Sequence, residues 1–318
     1  MLNLFAAPCR ASALGFRATS AGVRSVTAFG IVLLAVLSTG AFLRAAEGAG
    51  AAAFAAMQRA WAAGDLDKAI DEADKVLKAE PRNVAYLNRI GALYCAKALK
   101  ANVLTRMSWG GKCRSTWEGA LGIDPANIDI RFNLIGYYAE APAIAGGGLD
   151  KARAQATAIA ALDAVRGEIA WGHVARHEGR LDEAERRYRK SAEIDPAGMR
   201  APVELASFLV SLKRWAEAKG VFESRLAKRP DDVFAAFQLG RLWQAEGVDV
   251  QRALQYFDRC LAAAAVPGGP TPADAWFRKG QVFEALGKTS EAIAAYESAV
   301  ALAPEHEGAR RAIQRLRG

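Results

Sequence analysis

The stretch ADAWFRKGQVFEALGKTSEAIAAYESAVALAP, residues 273–304, carries the pattern that decides the fold. Small residues such as Gly280 and Ala292 let two antiparallel helices approach closely, and aromatic residues such as Tyr296 fill the space between neighbouring helix pairs. Pro304 cannot donate to a helical hydrogen-bond ladder, so it ends the second helix. The segment therefore predicts a helix, a turn and a second helix. The residues that set the pattern are Trp276, Gly280, Phe283, Ala292, Tyr296, Ala299 and Pro304.

The same arrangement recurs upstream at a spacing of 34 residues. A small residue, an aromatic residue and a closing proline at this period resemble the tetratricopeptide family. The resemblance implies an all-α fold, a right-handed superhelical solenoid of antiparallel helix pairs. The matching positions are Gly172, Ala206 and Gly240, then Ala184 and Ala218, Tyr188 and Phe222, and Pro196 and Pro230.

About seven such units are predicted over a repeat domain of residues 47–318. A helix from Glu305 to Arg317 would cap the solenoid, because its end otherwise exposes an apolar face. The second unit is longer than the period by roughly ten residues, so either its helices are longer or a loop protrudes. The units with assigned bounds are 51–81, 84–125, 128–164, 233–265 and 273–304, and two more lie between 168 and 230.

Composition agrees with helices and argues against a strongly basic surface. Much of the 52% apolar content is alanine, which loses little side-chain entropy in a helix. The formal charge is +8, but four arginines precede the first acidic residue, Glu47, and this leaves +4 for the rest of the chain. We interpret that excess as ordinary solubility.

The N-terminal segment has the pattern of an export signal or membrane anchor. Residues 25–43 are uncharged and lie between Arg24 and Arg44, and small residues at 39–41 suit cleavage. We therefore assign residues 1–46 to this segment and its junction, and we expect a periplasmic or envelope-associated protein. Membrane contact is expected only through this segment, if it is not cleaved. A mitochondrial presequence is the alternative, because the first 25 residues are rich in Arg, Ser, Thr and Ala.

A motif after residue 137 resembles a group of exported bacterial tetratricopeptide proteins that carry Y-x-x-A-P-x-I-A-G-G before a helix. The resemblance implies an exported helical repeat protein and brings no chemistry with it. The matching residues are Tyr138, Ala141, Pro142, Ile144, Ala145, Gly146 and Gly147, then Asp150, Lys151 and Ala152.

The four cysteines, Cys9, Cys95, Cys113 and Cys260, show no C-x-x-C spacing. We therefore predict no disulfide framework. Cys113 and Cys260 fall where the repeat pattern requires a small buried residue, so both are interpreted as packing residues.

No catalytic or metal-binding signature is found, and we expect neither an enzyme nor a cofactor. His173 and His177 are four residues apart on one helical face, but two ligands do not make a zinc site. The glycines at 146–148 lack the strand and the G-K-[ST] of a phosphate loop, so a flexible turn between helices is predicted. If the chain is an enzyme after all, the candidate site is the long second unit around Trp109, Cys113 and Trp117.

The concave groove is the predicted binding surface, because the resemblance implies that the first helix of each unit lines it. Cationic and aromatic residues on that face suit a protein or peptide partner, an acidic one in particular. The chain is therefore predicted to be a non-enzymatic scaffold, with a nucleic-acid-binding solenoid as the alternative. The groove residues are Asn88, Asn133, Tyr137, Arg166, His173, Arg176, His177, Arg200, Phe234, Phe237, Arg241, Gln244, Phe277 and Gln281.

Overall fold

A computed structural model describes residues 33–263 and 269–318, with side chains from Gly48 onward except at residues 103 and 104. The described residues form fifteen α-helices and one short 3-10 turn, without a strand. The prediction of an all-α fold is confirmed. The side chains of the predicted export segment, 1–46, lie outside the described residues. No helix within the described ranges combines the length and apolar character needed to cross a bilayer.

The chain divides into two compact units, and the division falls inside one helix, between Ala184 and Glu185. The N-terminal unit contains α1 Leu33–Ala62, α2 Leu66–Ala79, α3 Val84–Lys100, α4 Val103–Ile123, α5 Ile128–Glu140, the turn Ala143–Ala145, α6 Leu149–Leu162, α7 Ala164–His177 and the start of α8 Leu181–Ile194. The C-terminal unit contains the rest of α8, then α9 Arg200–Ser211, α10 Trp215–Lys228, α11 Val233–Glu246, α12 Val250–Ala262, α13 Pro272–Ala285, α14 Thr289–Leu302 and α15 Glu307–Arg317.

Across the described residues the helices follow one another as seven pairs and a last single helix, α15, in agreement with the predicted count. Polar caps start many of them, because a side-chain oxygen satisfies a backbone N–H that has no partner within the helix. The clearest case is α13, where Thr271 and Asp274 cap each other's backbone N–H. Asp65, Asn83, Asn102, Asn127, Asp163, Asp232 and Asp249 cap their helices with a single bond of the same kind.

A glycine near the middle of several first helices makes room for an aromatic ring of the second helix. A Cβ added at Gly280 would lie 2.5 Å from Tyr296, and one at Gly240 would lie 2.6 Å from Phe257. Real Cβ atoms do not approach that closely, so only glycine permits this packing. Tyr296 and Phe257 are almost fully buried as a result. The sequence pattern predicted this close approach, and the structure shows which ring fills it.

The turn between the two helices of several pairs contains a left-handed backbone residue. Gly287 holds this position after α13, with φ 72°, and Lys213 holds it after α9, with φ 61°. Both turns have the same hydrogen bonds, since Arg214 N donates to Leu209 O as Lys288 N donates to Phe283 O. An L-residue is strained in this conformation, so Lys213 costs stability that glycine would not.

The second pair is longer because its helices are longer, which decides between the two predicted explanations. Helices α3 and α4 contain 17 and 21 residues, whereas 14 is typical of the other helices, α13 for example. A disulfide joins Cys95 to Cys113 across this pair, with 5.3 Å between the Cα atoms. The prediction that the chain has no disulfide framework was therefore wrong, and Cys113 is a cross-link rather than a free packing thiol. Cys260 is buried and unpaired with another cysteine, as expected.

The motif after α5 forms a turn that is held by several hydrogen bonds, whereas a flexible turn was predicted at residues 146–148. The hydroxyl of Tyr137 donates to Ala145 O at 2.9 Å, and Lys151 Nζ donates to Gly146 O at 2.9 Å. The backbone N–H of Gly148 donates to Tyr138 O at 2.8 Å. Several residues of the motif therefore have a structural role, because they hold the turn that leads into α6.

Candidate functional site

A pocket of about 700 Å³ lies in the C-terminal unit, among the first helices α11 and α13 and the last helix α15. Its volume is within the usual range for ligand sites. Four of its lining side chains are arginines and one is a glutamate, so the lining is strongly cationic. The lining residues are Arg241, Gln244, Ala245, Phe277, Arg278, Gln281, Glu284, Ala285, Tyr296, Gly308, Arg311, Ala312 and Arg315.

Helical periodicity explains how α11 and α13 supply matching parts of this lining. Residues three or four apart lie on one helical face, so Arg241 and Gln244 face the pocket together, as do Gln281 and Glu284. The two helices correspond at an offset of 40 residues, which aligns Gly240 with Gly280. Successive pairs thus present equivalent positions to the same pocket.

Arg241 and Arg278 place two partly buried guanidinium groups in this pocket. Arg241 Nη1 donates to Gln238 Oε1 at 3.1 Å, and Arg278 Nη1 donates to Gln281 Oε1 at 3.1 Å. Burial lowers the pKa of Arg241 to about 10, and the charge of Arg278 lowers it further. Burial also lowers the pKa of Arg278. The pocket therefore holds two like charges in a poorly solvated place.

The opposite wall of the pocket is held by one carboxylate. Arg315 donates two hydrogen bonds to Glu284, at 2.7 and 2.9 Å, and the hydroxyl of Tyr296 donates to the same carboxylate at 3.0 Å. The hydrogen bond from Arg315 is the main reason why the pKa of Glu284 is lowered. Arg315 thereby fastens the last helix, α15, to α13 and completes the pocket.

The aromatic wall comes from Phe277. Its ring centroid lies 5.6 Å from that of Tyr296 and 4.6 Å from that of His306. The packing leaves Phe277 partly exposed in the pocket, where it offers an apolar surface beside the cations.

The pocket brings together four of the predicted groove residues, Arg241, Gln244, Phe277 and Gln281. Two other predicted residues are used for packing. Phe237 is only 8% exposed and meets Phe257 edge to face, and Phe234 meets Phe222 in the same way. They are turned towards the second helices and offer little binding surface. Arg200 is placed on α9, within 3.9 Å of Glu204.

Several predicted groove residues of the N-terminal unit form bonds within that unit. Asn133 Nδ2 donates to Asn88 Oδ1 at 2.7 Å, and Tyr137 is bonded to the turn described above. Arg166 forms an ion pair with Asp129 and lies 5.4 Å from the ring of Phe132. These contacts join α3, α5 and α7.

The two histidines of α7 also lie in the N-terminal unit. His173 contacts the ring of Phe132 edge to face, with 5.8 Å between centroids. Burial lowers the pKa of His177, and the neighbouring charge of Arg176 lowers it further. Within the described residues no group of three histidine, cysteine or carboxylate side chains could hold a metal ion.

The hypothesis of an enzymatic site around Cys113 loses its nucleophile, because that sulfur is bonded to Cys95. Trp109 is occupied by a cation, with Lys112 Nζ 4.3 Å from its ring centroid. Trp117 donates through Nε1 to Asn88 O at 3.0 Å. These residues stabilise the long second pair.

A second cleft of about 920 Å³ lies along α8 and α10 in the C-terminal unit. Its central cation, Arg225, is 9% exposed. It donates to Gly198 O at 2.6 Å and to Asp232 at 2.9 Å. Arg225 therefore holds the loop after α8 in place. We favour the pocket at α11, α13 and α15 as the candidate site, because its lining combines cations with the partly exposed ring of Phe277.

Sequence reasoning missed Arg278, Arg311 and Arg315 as pocket residues. Arg278 follows Phe277 directly, and a projection of one helical face selects Phe277 and Gln281 instead. The sequence did contain a signal for Arg278. At the offset of 40 residues, Gln238 of α11 corresponds to Arg278 of α13, and Arg241 corresponds to Gln281, so each helix has one arginine and one glutamine at these two positions.

Many arginines outside this pocket form ion pairs within the chain. Arg214 contacts Glu185 and Glu217, and Arg153 contacts Glu178. These guanidinium groups are paired with carboxylates of the same protein. The positive charge left to bind the phosphate backbone of a nucleic acid is therefore smaller.

Comparison with protein families finds the tetratricopeptide repeat at residues 175–241 and 273–306. The repeats predicted in these regions are therefore confirmed. A comparison with curated proteins finds no match.

Several solved structures are similar to the chain. A tetratricopeptide repeat protein from Parabacteroides merdae is 16% identical, with 85% of this chain and 100% of that chain covered and a TM-score of 0.43. YrrB, described as a tetratricopeptide protein with an unusual peptide-binding site, is 20% identical, with coverages of 62% and 97% and a TM-score of 0.36. Yeast Tom70 is 15% identical, with 79% of this chain and 49% of that chain covered and a TM-score of 0.50. At this identity the similarity to Tom70 concerns the fold alone.

Proposed function

We propose that this tetratricopeptide repeat protein is a non-enzymatic scaffold that binds a protein or peptide in the pocket formed by α11, α13 and α15. The observation that carries the proposal is the lining itself, to which Arg241, Arg278 and Phe277 all contribute. Cations and an aromatic wall recognise acidic and apolar side chains of one segment.

The polar groups of the pocket suit a chain with both hydrogen-bond donors and acceptors. Gln244 Nε2 lies 3.4 Å from Gln281 Oε1, which is a long contact that a peptide amide could replace. Because α11 and α13 repeat the same positions, an extended segment would meet a similar set of groups at each helix. A repeat scaffold uses such successive contacts to hold a partner along its groove.

We further propose that the protein is exported and acts in the periplasm or at the envelope. The uncharged run at residues 25–43 supports export. The Cys95–Cys113 disulfide supports it independently, because disulfides persist in oxidising compartments and are rare in the cytosol.

The export proposal is tested by trapping thiols in intact cells with acid and then labelling with a maleimide under denaturing, non-reducing conditions. We expect Cys260 to be labelled and both Cys95 and Cys113 to remain unlabelled until a reductant is added. Labelling of Cys95 and Cys113 without reductant would contradict the proposed compartment.

The pocket is tested by filling it without changing its charge. Ala245 lies in the lining, and Ala245→Trp would place an indole there. The matched control is Ala301→Trp, because Ala301 is an exposed residue of α14 outside the pocket. The full chain and both variants are used to capture partners from an envelope extract, and the captured proteins are identified by mass spectrometry.

We expect a partner that is captured by the native chain and by Ala301→Trp but lost with Ala245→Trp. Hydrogen exchange of each variant verifies that α11 and α13 remain folded. A partner that Ala245→Trp captures as well as the native chain does would show that binding occurs elsewhere.

A further inference from the structure

We propose that the tip of the long second pair binds the surface of an anionic lipid bilayer. The tip consists of residues 98–102, which end α3 and lead into α4, and residues 105–112 of α4. The proposal goes beyond the scaffold function, because the tip belongs to the N-terminal unit and the candidate pocket to the C-terminal unit. It also adds a second membrane contact to the one predicted for residues 1–46.

The start of α4 extends beyond the neighbouring turn of the same unit. That turn meets α4 at Gly110, where an added Cβ would lie 3.3 Å from the hydroxyl of Tyr137, and this hydroxyl donates to Ala145 O. Helix α4 begins seven residues before Gly110, and at 1.5 Å per residue these residues extend the helix by about 10 Å. The tip therefore reaches a flat surface before the turn beside it does.

Apolar side chains at the tip are exposed to solvent. Leu99, in the last turn of α3, is 79% exposed, and Met107, in the second turn of α4, is 42% exposed. On the neighbouring turn, Ile144 is 82% exposed. Single exposed apolar residues are common, but several at one end of a helix pair indicate an interaction surface. Insertion between the headgroups and acyl chains of a bilayer would remove them from water.

The sequence around the tip is strongly basic. Residues 81–117 contain seven lysines and arginines and no acidic residue. Three of these cations, Lys100, Arg106 and Lys112, are exposed at the tip. Lys112 Nζ lies 4.3 Å from the ring centroid of Trp109, a contact that leaves its charge in place. The tip thus combines cations with exposed apolar side chains.

The cations that flank the tip are paired with carboxylates. Lys97 Nζ donates to Asp67 Oδ1 at 2.5 Å, and Arg114 lies 3.8 Å from Glu118. Glu118 also accepts from the hydroxyl of Tyr138 at 2.7 Å. These two acids therefore offset charges next to the tip rather than those on it.

An anionic bilayer matches both features of the tip. Its negative surface attracts lysine and arginine, each of which strengthens binding by about fivefold. Its interface accepts Leu99 and Met107 as well. A nucleic acid would meet the cations through its phosphates but would leave these apolar side chains in water. The exposed apolar residues therefore favour a lipid surface.

The test uses an environment-sensitive fluorescent residue incorporated at position 108, where Ser108 is exposed at the tip. The full chain is titrated with vesicles of phosphatidylcholine alone or of phosphatidylcholine with phosphatidylglycerol. Quenching by nitroxide-labelled lipid measures the apparent affinity of this position for lipid, separately from any binding by residues 1–46. The positional control has the fluorescent residue at Ala301, an exposed residue of α14 in the C-terminal unit.

We expect position 108 to show an apparent affinity about tenfold higher for the anionic vesicles than for the neutral ones. Lys100→Gln/Arg106→Gln should abolish this preference. Leu99→Ser/Met107→Ser should weaken binding to the anionic vesicles by about tenfold. Hydrogen exchange of each variant verifies that α3 and α4 remain folded.

Two control variants change exposed residues of the same kinds in the C-terminal unit, and both should behave as the native chain does. They are Lys288→Gln/Arg310→Gln for the cations and Val248→Ser/Leu302→Ser for the apolar residues.

Absence of quenching at position 108 on anionic vesicles would overturn the proposal. Equal affinity for both kinds of vesicle, a preference that persists in Lys100→Gln/Arg106→Gln, or equal quenching at position 301 would overturn it as well. A DNA duplex that changes the emission at position 108 when vesicles do not would assign the tip to a nucleic acid instead. None of these results decides the scaffold function, because capture that depends on Ala245→Trp is measured separately in the other unit.

Discussion

The first helices of the two units use their inward positions differently. In the N-terminal unit, Asn133 bonds to Asn88 at 2.7 Å, and Arg166 forms an ion pair with Asp129, so these side chains contact other residues of the same unit. In the C-terminal unit, Arg241 and Arg278 are two partly buried cations that line the same pocket. The repeat thus gives both units the same helical scaffold. The residues at a few positions of the first helices differ, and these residues bond to their own unit in one case and line a pocket in the other.

The two units also differ in what holds their helix pairs together. The N-terminal unit has a long pair, α3 and α4, with the Cys95–Cys113 cross-link. The pairs of the C-terminal unit are shorter and rely on packing such as that of Gly280 against the ring of Tyr296, which the long pair also has at Gly91 and Trp117. This difference leads to predictions that affect one unit and spare the other.

The largest effect is expected from removing the cross-link with Cys95→Ala/Cys113→Ala. The two cysteines are 18 residues apart in sequence, and a disulfide that closes a loop of this length contributes about 3 kcal/mol. Hydrogen exchange should report faster opening of α3 and α4, with little change in α11 to α14. Reductant should produce the same change in the native chain and none in the variant.

Unchanged protection of α3 and α4 in this variant would show that packing alone holds the long pair. A similar loss of protection in both units would contradict their independence in stability.

The next effect is expected from Gly280→Ala in the C-terminal unit. The added methyl would lie 2.5 Å from the ring of Tyr296. We expect a loss of about 2 kcal/mol in the free energy of unfolding, because overpacking outweighs the better helix propensity of alanine. Urea denaturation measures it. Gly220→Ala is the control, since its Cβ would meet nothing within 4 Å, and it should stabilise α10 by up to about 1 kcal/mol.

A smaller effect of opposite sign is expected at the turn after α9. Lys213 has φ 61°, so Lys213→Gly should relieve backbone strain and stabilise the C-terminal unit by about 1 kcal/mol. Gly287→Ala, at the equivalent turn, should destabilise by a similar amount. Thermal denaturation of both variants measures the pair of changes. A stabilisation by Gly287→Ala would contradict the left-handed conformation of residue 287 in this turn.

The smallest effect is expected on how the stability of the fold depends on pH. The hydrogen bond from Arg214 is the main reason why the pKa of Glu185 lies below its ordinary value of 4.5. A carboxylate with a lowered pKa stabilises the fold above 4.5 and loses that contribution as the pH falls through its folded pKa. In Arg214→Gln the fall in stability on acidification should therefore be smaller than in the native chain. Urea denaturation at a series of pH values measures the two slopes, and equal slopes would contradict this role of Arg214.

The fold was predictable from the sequence because a small residue, an aromatic residue and a proline recur every 34 residues. Each of the three has a defined structural role: close helix approach, filling of the space between helices, and the end of a helix. The partner of Cys95 was not predictable, because the contact with Cys113 depends on the lengths of α3 and α4. Arg278 was not predicted either, since periodicity defines the face of one helix but not the charges that a neighbouring helix places opposite it. Phe237 shows the converse error, because its position on the predicted face did not reveal that it packs on Phe257.

Site-specific photocross-linking in intact cells tests the central claim most directly. A photoreactive residue is placed at Gln281 in the pocket, at Ser224 in the second cleft, or at Asn133 in the N-terminal unit. We predict a cross-linked protein partner from position 281, its loss when Ala245→Trp is added, and no cross-link of that partner from positions 224 and 133. A partner cross-linked from position 224 or 133 but not from 281 would contradict the assignment of the pocket.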